Sequence, residues 1–126
     1  MSDPFASNTR GMMPLPESGT ARVRAGGEWR QSVPGFLEIP LLDDRQNGLR
    51  TMLMKMEPGA YSPTHSHDQV EQIFVLEGEF YDDDTHYGVG DYLVRPAGTL
   101  HIAGTREGAT VLVVYASSSN AVERVA

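Results

Sequence analysis

The segment GAYSPTHSHDQVEQIFVLEG, residues 59–78, decides both the fold and the chemistry of this chain. His65 and His67 are separated by one residue, and Glu71 follows four residues later. Alternation along a strand places His65 and His67 on one face, close enough for both rings to reach one ion. Glu71 reaches the same face along an extended chain or after a short turn. Because imidazole and carboxylate together suit divalent first-row metals, the segment predicts a metal site.

A second segment, GDYLVRPAGTLH at residues 90–101, supplies a fourth candidate ligand, His101. The turn predicted from Pro96 to Gly98 leads the chain back across a barrel mouth, so that His101 arrives from a separate strand. An octahedral ion held by three imidazoles and one carboxylate keeps two positions for water, substrate or dioxygen. A purely structural zinc site is more often closed and rich in thiolates. The four ligands therefore predict a site that carries out chemistry.

Short apolar runs separated by glycine and proline turns continue from Trp29 to Tyr115. Asn47-Gly48 predicts a hairpin turn, because both residues tolerate positive φ. The strand predicted at residues 49–56 carries three methionines on one face. We expect them in the core, with the alternative that some of them line a cavity above the metal. No stretch of this region shows a convincing 3.6-residue apolar period. Many short strands at regular spacing predict an all-β barrel or sandwich.

The chain of 126 residues is long enough for one domain and too short to argue for two. We predict an N-terminal arm at residues 1–27, a barrel at residues 28–118 and a C-terminal tail at residues 119–126. The arm is rich in Pro, Gly, Ser and Arg and has no sustained period, so we expect it to be flexible or docked on a partner subunit. Its apolar residues are candidates for that contact: Phe5, Met12, Met13 and Leu15.

Composition argues against several classes of protein. The formal net charge of −7 works against the binding of nucleic acid. No apolar run approaches the roughly 20 residues needed to span a bilayer, and the N-terminus lacks a basic-then-apolar signal pattern. Cysteine is absent, so the chain offers no disulfide and no thiolate ligand. We therefore expect a cytoplasmic protein that binds neither nucleic acid nor a membrane.

Both segments resemble the two signature motifs of the cupin superfamily, without a gap or an insertion. The first motif is Gly59, five residues, His65-Ser66-His67, three residues, Glu71, six residues and Gly78. The second motif is Gly90, five residues, Pro96-Ala97-Gly98, two residues and His101. Beyond the motifs, the stretch 29–115 resembles the ChrR-like branch of cupins. That resemblance is carried by Pro34-Gly35, residues 57–60, residues 75–80 and Gly108.

The resemblance implies a single-domain double-stranded β-helix, or jelly-roll, barrel with one divalent metal ion bound inside by His65, His67, Glu71 and His101. Fe²⁺ is the favoured ion; Zn²⁺, Mn²⁺, Ni²⁺ and Cu²⁺ are alternatives, since these ligands accept most first-row metals. Similar cupins generally pair, so the resemblance also implies a homodimer. The family often has Asn where this chain has Thr105, and we expect that difference to affect a turn rather than the ligand set.

The ChrR-like branch includes dioxygenases that cleave β-diketones with ferrous iron, and the C-terminal domain of a zinc-binding anti-sigma factor. We therefore favour a metal-dependent enzyme acting on a small organic molecule, as a non-haem Fe(II) dioxygenase. Two alternatives stay open: a non-redox isomerase, lyase or hydrolase, and a metal-binding sensor or accessory module without catalysis. The metal centre itself would carry the catalysis. The candidate substrate contacts are Tyr61, Gln69, Met54 and Arg106.

Three further features have simpler interpretations. His86 lies on a predicted hairpin, and we expect it to be a solvated surface residue. The three aspartates at residues 82–84 lack the spacing of a calcium loop and predict an acidic turn. Arg95 could orient a substrate, although the sequence alone does not place its side chain.

Overall fold

Nine β-strands and no helix make up the part of the chain that the structure, a computed structural model, describes: residues 14–26 and 28–117. The strands are β1 (Arg30–Val33), β2 (Phe36–Asp44), β3 (Leu49–Met56), β4 (Tyr61–His65), β5 (Val70–Tyr81), β6 (His86–Gly88), β7 (Tyr92–Arg95), β8 (His101–Gly104) and β9 (Ala109–Ala116). The predicted tail at residues 119–126 and the arm residues Phe5, Met12 and Met13 lie outside the described residues.

One curled antiparallel sheet carries all nine strands. Their order is β1-β2-β3-β9-β5-β8-β4, and β6 and β7 also pair with β5. The long strand β5 connects the two layers: its first part pairs with β9 and β7, and its last residues pair with β6 and β8. Because one strand belongs to both layers, the sheet folds over on itself. The predicted all-β barrel is confirmed.

The hairpin between β2 and β3 forms where the Asn-Gly pair predicted it. The two strands pair in antiparallel register from Phe36 opposite Met56 to Asp44 opposite Leu49. Gly48 has a φ of 70°, whereas no other residue type in the described part of the chain has a positive φ. Only the glycine of the pair therefore uses the left-handed region, and Asp44 closes the turn by accepting hydrogen bonds from Asn47.

The core lies between the two layers and is built by period-two alternation along the strands. Met52, Met54 and Met56 are all buried on the inner face of β3, as the sequence predicted, and Leu53 points the other way. β9 behaves in the same manner, with alternate residues from Ala109 buried. The rest of the core cluster consists mainly of Phe36, Ile73, Val75, Phe80, Leu93, Val111, Val113 and Tyr115.

A close backbone approach fixes the point where β5 changes layer. Gly78 has a φ of 71°, and a Cβ atom there would lie 2.0 Å from the carbonyl oxygen of Gly108. The next amide, at Glu79, donates to that same oxygen over 3.3 Å. Any larger residue at position 78 would therefore separate β5 from β9, which explains the glycine that ends the first motif.

The described part of the arm, residues 14–26, contains no strand and is exposed. It is tied to the barrel where the amide of Leu15 donates to Asp44 over 2.9 Å. Within the described residues, no helix is long and apolar enough to cross a bilayer.

Candidate metal centre

Three histidines converge inside one end of the barrel. The ring nitrogens that His65, His67 and His101 can offer lie within 4.8 Å of one another, and all three side chains are buried. Two ligands at about 2.1 Å from one ion are separated by about 3 to 4 Å, so a small inward movement would bring the three nitrogens onto one cation. The predicted convergence of these histidines is therefore present.

The backbone brings these histidines together by strand pairing and by a turn. His65 ends β4 and His101 begins β8, and the two residues are directly paired across these strands. His67 follows β4 rather than lying on it, so strand alternation is not what positions it. Instead, the amide of Gly98, in the turn of the second motif, donates to the carbonyl of His67 over 2.7 Å. The two motifs are thus joined by a hydrogen bond beside the site.

Hydrogen bonds to the backbone select the tautomer that leaves Nε2 available. Nδ1 of His65 lies 2.8 Å from the carbonyl oxygen of Pro63, and Nδ1 of His101 lies 3.0 Å from that of Thr99. A carbonyl oxygen only accepts, so each Nδ1 carries the proton and each Nε2 keeps its lone pair. Such an outer hydrogen bond is the usual partner of a metal-bound histidine. The donor set therefore fits a divalent metal ion.

Glu71 lies beside the histidines and is buried with them. Its Oε2 is 3.4 Å from Nε2 of His67, and its Oε1 is 3.6 Å from Nε2 of His101. These distances are close to those between two ligands of one ion. Among the residues that the structure describes, the group whose nitrogens cluster this closely consists of the three histidines. The role of Glu71 as a fourth ligand therefore stays a prediction.

Two donors fix the orientation of the Glu71 carboxylate. Nη1 of Arg95 donates to Oε1 over 2.8 Å, and the hydroxyl of Tyr115 donates to Oε2 over 2.8 Å. Strand pairing makes this possible, because Glu71 on β5 is directly opposite Arg95 on β7 and Tyr115 on β9. Each carboxylate oxygen has two acceptor positions, so both oxygens can still face the histidines.

A continuous row of polar side chains therefore crosses four strands at this end of the barrel. We call it the polar row: Arg50, Tyr115, Glu71 and Arg95. The guanidinium carbon of Arg50 lies 4.4 Å from the centre of the Tyr115 ring, at cation–π distance. The ring of His67 packs against the same tyrosine, with 4.9 Å between ring centres. Tyr115 thus contacts a metal-ligand candidate, its carboxylate neighbour and a buried cation.

Arg95 also connects the site to the hairpin between β5 and β6. Its Nη2 donates to Asp82 over 3.1 Å, and the hydroxyl of Tyr87 donates to the same carboxylate over 2.7 Å. Burial by itself would raise the pKa of Asp82, but the hydrogen bonds from Tyr87 and Arg95 outweigh it and lower that pKa below 3.8. Asp82 is therefore ionised and binds one terminal nitrogen of Arg95, while Glu71 binds the other.

Burial shifts the pKa of two ring side chains near the site, His101 and Tyr87. It lowers the pKa of His101 below 6.5; the charge of Arg95 lowers it further, and Glu71 opposes the shift. It also raises the pKa of Tyr87 above 10.0, with the hydrogen bond and the charge of Asp82 acting in the same direction. At neutral pH His101 is consequently a neutral imidazole with a lone pair, as a metal ligand must be.

A cavity of about 20 Å³ lies next to the candidate ligands. It has room for about one water molecule. Its lining includes His65, Glu71, Arg95, His101 and Tyr115 on the polar side, and Phe36, Met54, Met56, Ile73, Phe80 and Val111 on the apolar side. The site is thus enclosed and mostly apolar beyond its polar row, as small-molecule sites commonly are.

The candidate substrate contacts lie in different surroundings. Met54 lines the cavity. Tyr61 is 53% exposed on β4, and Arg106 is exposed in the turn before β9. Gln69 donates to the carbonyl of Gly48 over 3.0 Å, which ties it to the β2–β3 hairpin. Substrate contact by these four residues stays a prediction.

Other residues considered in the sequence have clear structural roles. His86 is exposed on β6, as expected. Thr105 is buried; its hydroxyl donates to the carbonyl of Glu79 over 2.6 Å and accepts from the amide of Gly108 over 2.9 Å. It therefore fixes the β8–β9 turn, in agreement with the expected effect on turn geometry. Asp82 does more than form an acidic turn, and the role of Tyr115 was not anticipated from the sequence.

Comparisons with known proteins agree with this geometry. A model of the ChrR cupin-like domain matches residues 21–119. A cupin-like protein of unknown function from Ralstonia eutropha JMP134 has a similar structure, with a TM-score of 0.61 and 26% identity over 66% of this chain and 56% of that chain. This chain therefore spans little more than half of that protein's length. No curated protein matches the chain.

Two further solved structures share the fold at lower identity. The polyketide cyclase RemF from Streptomyces resistomycificus is 21% identical over 78% of this chain and 80% of that chain, with a TM-score of 0.67. A chain of the complex between Rhodobacter sphaeroides SigE and the anti-sigma ChrR is 22% identical over 71% of this chain and 49% of that chain, with a TM-score of 0.63.

Proposed function

The chain belongs to the ChrR cupin-like family, as its motifs predicted, and from this premise we propose that it is a metal-dependent enzyme acting on a small organic molecule. Our specific proposal is a non-haem Fe(II) dioxygenase whose substrate offers two oxygens, such as an enolisable β-diketone. The supporting observation is the buried three-histidine cluster with its Nε2 atoms available for a metal. The fold similarity to a polyketide cyclase supports this proposal.

The chain's own residues have distinct tasks in this proposal. His65, His67 and His101 would hold the ion, with Glu71 as the proposed fourth ligand, and Fe²⁺ when bound would supply open positions for the substrate oxygens and the activation of dioxygen. Arg95 keeps the Glu71 carboxylate turned toward the histidines and adds a positive charge. With a divalent ion present, the site is positive and suits an anionic enolate.

The apolar wall of the cavity limits water to about one molecule and sets the size of the substrate. A cavity of about 20 Å³ accepts a water molecule but no diketone without rearrangement of the lining. Met54 and Met56 line the cavity, and the methionine side chain is unbranched and adaptable. We therefore propose small, flat substrates that enter as these two thioethers move aside.

Oxygen consumption by iron-loaded protein tests the proposal. The panel would contain acyclic and cyclic β-diketones, with the matching monoketones as controls that cannot chelate through two oxygens. We expect consumption with at least one β-diketone, none with its monoketone and none with His67→Ala. If no diketone raises consumption above that of His67→Ala, although the wild type binds one iron per chain, the dioxygenase proposal is wrong.

The small cavity also favours a second candidate, a metal-binding sensor or accessory module without turnover. A cavity that accommodates only about one water molecule next to the ligands suits a resident metal better than a bulky substrate. One chain of the solved complex between SigE and the anti-sigma ChrR shares the fold. This similarity suggests a protein partner that would respond to the metal in such a site. Metal-dependent capture of one stoichiometric partner, together with no turnover of any substrate, would favour this candidate.

The metal present after purification without added salts separates the remaining versions. Iron would support the dioxygenase. Zinc or manganese would favour Lewis-acid chemistry, as in an isomerase, lyase or hydrolase, on the same residues.

We also propose, from the composition of the chain, that the protein is cytoplasmic.

A further inference from the structure

A cleft separates the described part of the arm from the outer side of β2 and β3, and its volume is about 480 Å³. This volume lies within the range of about 300 to 1,000 Å³ that is typical of small-molecule sites. The cavity beside the histidines has only about 20 Å³. Neither the three histidines nor Glu71 lines the cleft. It is therefore a second concave site, which the proposed function does not use.

This site, which we call the arm cleft, has a mostly apolar lining. On the barrel side, the register of β2 against β3 shifts just before Leu42. Because this irregularity interrupts the alternation of β2, the consecutive residues Leu41 and Leu42 both line the cleft, together with Thr51 opposite Leu42. On the arm side, the lining includes Leu15 and Val23.

The apolar side chains of the arm remain partly open to solvent. Leu15 is 47% exposed and Val23 is 42% exposed. The amide of Leu15 donates to Asp44, so the arm is fastened to the barrel with the cleft open beside it. A ligand with an apolar body would remove these side chains from water, which is favourable. The arm cleft therefore favours an apolar ligand.

Positive charge at the rim of the arm cleft favours an acidic head group on that ligand. Arg22 and Arg24 flank Val23, and both are exposed. Neither arginine has an ion pair or a hydrogen bond with a residue in the part of the chain that the structure describes. Asp44, by contrast, already accepts hydrogen bonds from Asn47 and from the arm. Two uncompensated guanidinium groups beside an apolar cleft are complementary to a carboxylate with an apolar chain.

From these observations we infer that the arm cleft binds an anionic amphiphile, a medium-chain fatty carboxylate. Its alkyl chain would lie against Leu15, Val23 and Leu42, and its carboxylate would bind Arg22 and Arg24 at the rim. An alkyl chain suits a cleft whose lining offers few hydrogen-bonding side chains. The inference is independent of the proposed function, because the two sites share no residue.

Calorimetric titration of the metal-free full chain with decanoate tests the inference, since without metal the carboxylate cannot bind an ion at the histidines. Decanol has the same chain without the charge, and acetate has the charge without the chain. We expect one decanoate per chain, weaker binding of decanol and no binding of acetate. Each methylene added between octanoate and decanoate should strengthen binding about 3- to 4-fold, which is the gain from burying one methylene.

A substitution on the arm locates the ligand. Val23→Asp should weaken decanoate binding at least about 10-fold, because it replaces apolar lining with a charge that repels the carboxylate. Val23 lies in no strand, so the change leaves the sheet intact, and an unchanged circular dichroism spectrum would show this. Val89→Asp, at an exposed valine outside the arm cleft, is the matched control and should bind like wild type. His67→Ala should also bind like wild type.

Removal of the two charges tests the recognition of the head group. Arg22→Gln combined with Arg24→Gln should weaken decanoate binding about 3- to 10-fold and leave decanol binding unchanged. Decanoate binding by wild type should weaken as salt is added, and this dependence should largely disappear in the double variant. Arg106→Gln, at an exposed arginine outside the arm cleft, is the control for the change in net charge.

Three results would overturn the inference. The first is no binding of decanoate by wild type, as when a second copy or another protein surface fills the arm cleft. The second is decanol binding as tightly as decanoate, because the arginines would then not recognise the carboxylate. The third is equal affinity of Val23→Asp and Val89→Asp for decanoate, which would place the ligand elsewhere.

Discussion

Two neighbouring rows of inward-facing side chains, carried by the same four strands, have opposite character. The apolar row is Met52, Val113, Ile73 and Leu93. The polar row, Arg50, Tyr115, Glu71 and Arg95, lies two residues along each strand, about 7 Å away. All eight side chains are buried. The polar row contacts the histidines through Glu71 and Tyr115, so the barrel places its buried charges where a metal would sit.

The two rows stabilise the protein by different physics. In the apolar row each side chain contributes through the area it removes from water, which does not depend on a particular partner. In the polar row each group depends on the next, since a buried charge without its partner costs several kcal/mol. Substitutions in the apolar row should therefore change stability alone, whereas substitutions in the polar row should change stability and metal binding together.

The largest effect is expected at Arg95, the residue that links Glu71 and Asp82. Arg95→Met keeps much of the side-chain volume but leaves both carboxylates without their cation, and we expect a loss of about 3 to 5 kcal/mol in the free energy of unfolding. Urea denaturation of the metal-free protein measures it. Arg106→Met, at an exposed arginine, is the matched control and should cost less than about 0.5 kcal/mol.

A double-mutant cycle shows whether the loss comes from the ion pair. Glu71→Gln removes the charge that Arg95 balances, so the double variant should be more stable than the sum of the single losses implies. If the two losses simply add, Arg95 does not act through Glu71, and the polar row is not an energetic unit.

The apolar row should show the opposite behaviour. Met52→Ala creates a cavity in the core away from the candidate ligands, and we expect a loss of about 2 to 4 kcal/mol in the free energy of unfolding. Titration of the folded variant with Co²⁺ or Zn²⁺ should give a metal dissociation constant within about threefold of wild type. A much larger change in metal affinity would mean that the two rows are energetically coupled through the strands that carry both of them, so that the apolar row also affects metal binding.

The sequence predicted the local parts of this structure and missed the long-range ones. The turn at Gly48 and the buried face of β3 follow from the positive φ of one glycine and from period-two alternation. The histidines were found because their spacing is a motif. The polar row was not predicted, because Glu71 contacts Arg95 and Tyr115 at sequence separations of 24 and 44 residues. Their contact depends on which strands flank β5, and no local pattern specifies that order.

The position of His67 illustrates the same limit. Strand alternation predicted a shared face with His65, and the two rings do meet. The strand nevertheless ends at His65, and the hydrogen bond from Gly98 positions the next histidine. Similarly, three consecutive aspartates indicate an exposed turn, yet Asp82 contacts Arg95 because the hairpin curls over the barrel end. A local sequence pattern predicts which residue types form a site. The order and curvature of the strands determine which of those residues contact each other.

A smaller effect is expected at Tyr115, where one hydroxyl can be removed without changing the packing. Tyr115→Phe takes away the hydrogen bond to Oε2 of Glu71 but keeps the ring beneath Arg50 and beside His67. We expect a loss of about 1 to 2 kcal/mol in stability and a roughly 10-fold weaker metal affinity. Calorimetric titration with Zn²⁺ and the absorption of the Co²⁺ form report the second effect. Tyr87→Phe, which removes a hydroxyl from Asp82, should leave the Co²⁺ spectrum unchanged.

The smallest effect is a pH dependence that belongs to the polar end of the barrel. Burial lowers the pKa of His101 in the folded protein, whereas in the unfolded chain it titrates near 6.5. Between the two pKa values the unfolded chain binds more protons than the folded protein. The stability of the metal-free protein is therefore full above pH 6.5, falls as the pH drops from 6.5 towards the folded-state pKa, and levels off below it. The slope from one group is at most about 1.4 kcal/mol per pH unit.

Urea denaturation of metal-free wild type and His101→Gln from pH 7.5 to 5 isolates this contribution, because the variant has no imidazole at that position. The variant should lose less stability over this range than the wild type, while His86→Gln, at an exposed histidine, should follow the wild type. Identical curves for wild type and His101→Gln would show that the buried imidazole does not cause the loss of stability at acidic pH. Added Zn²⁺ should move the wild-type decline to lower pH, since an ion on Nε2 competes with the proton for the same lone pair.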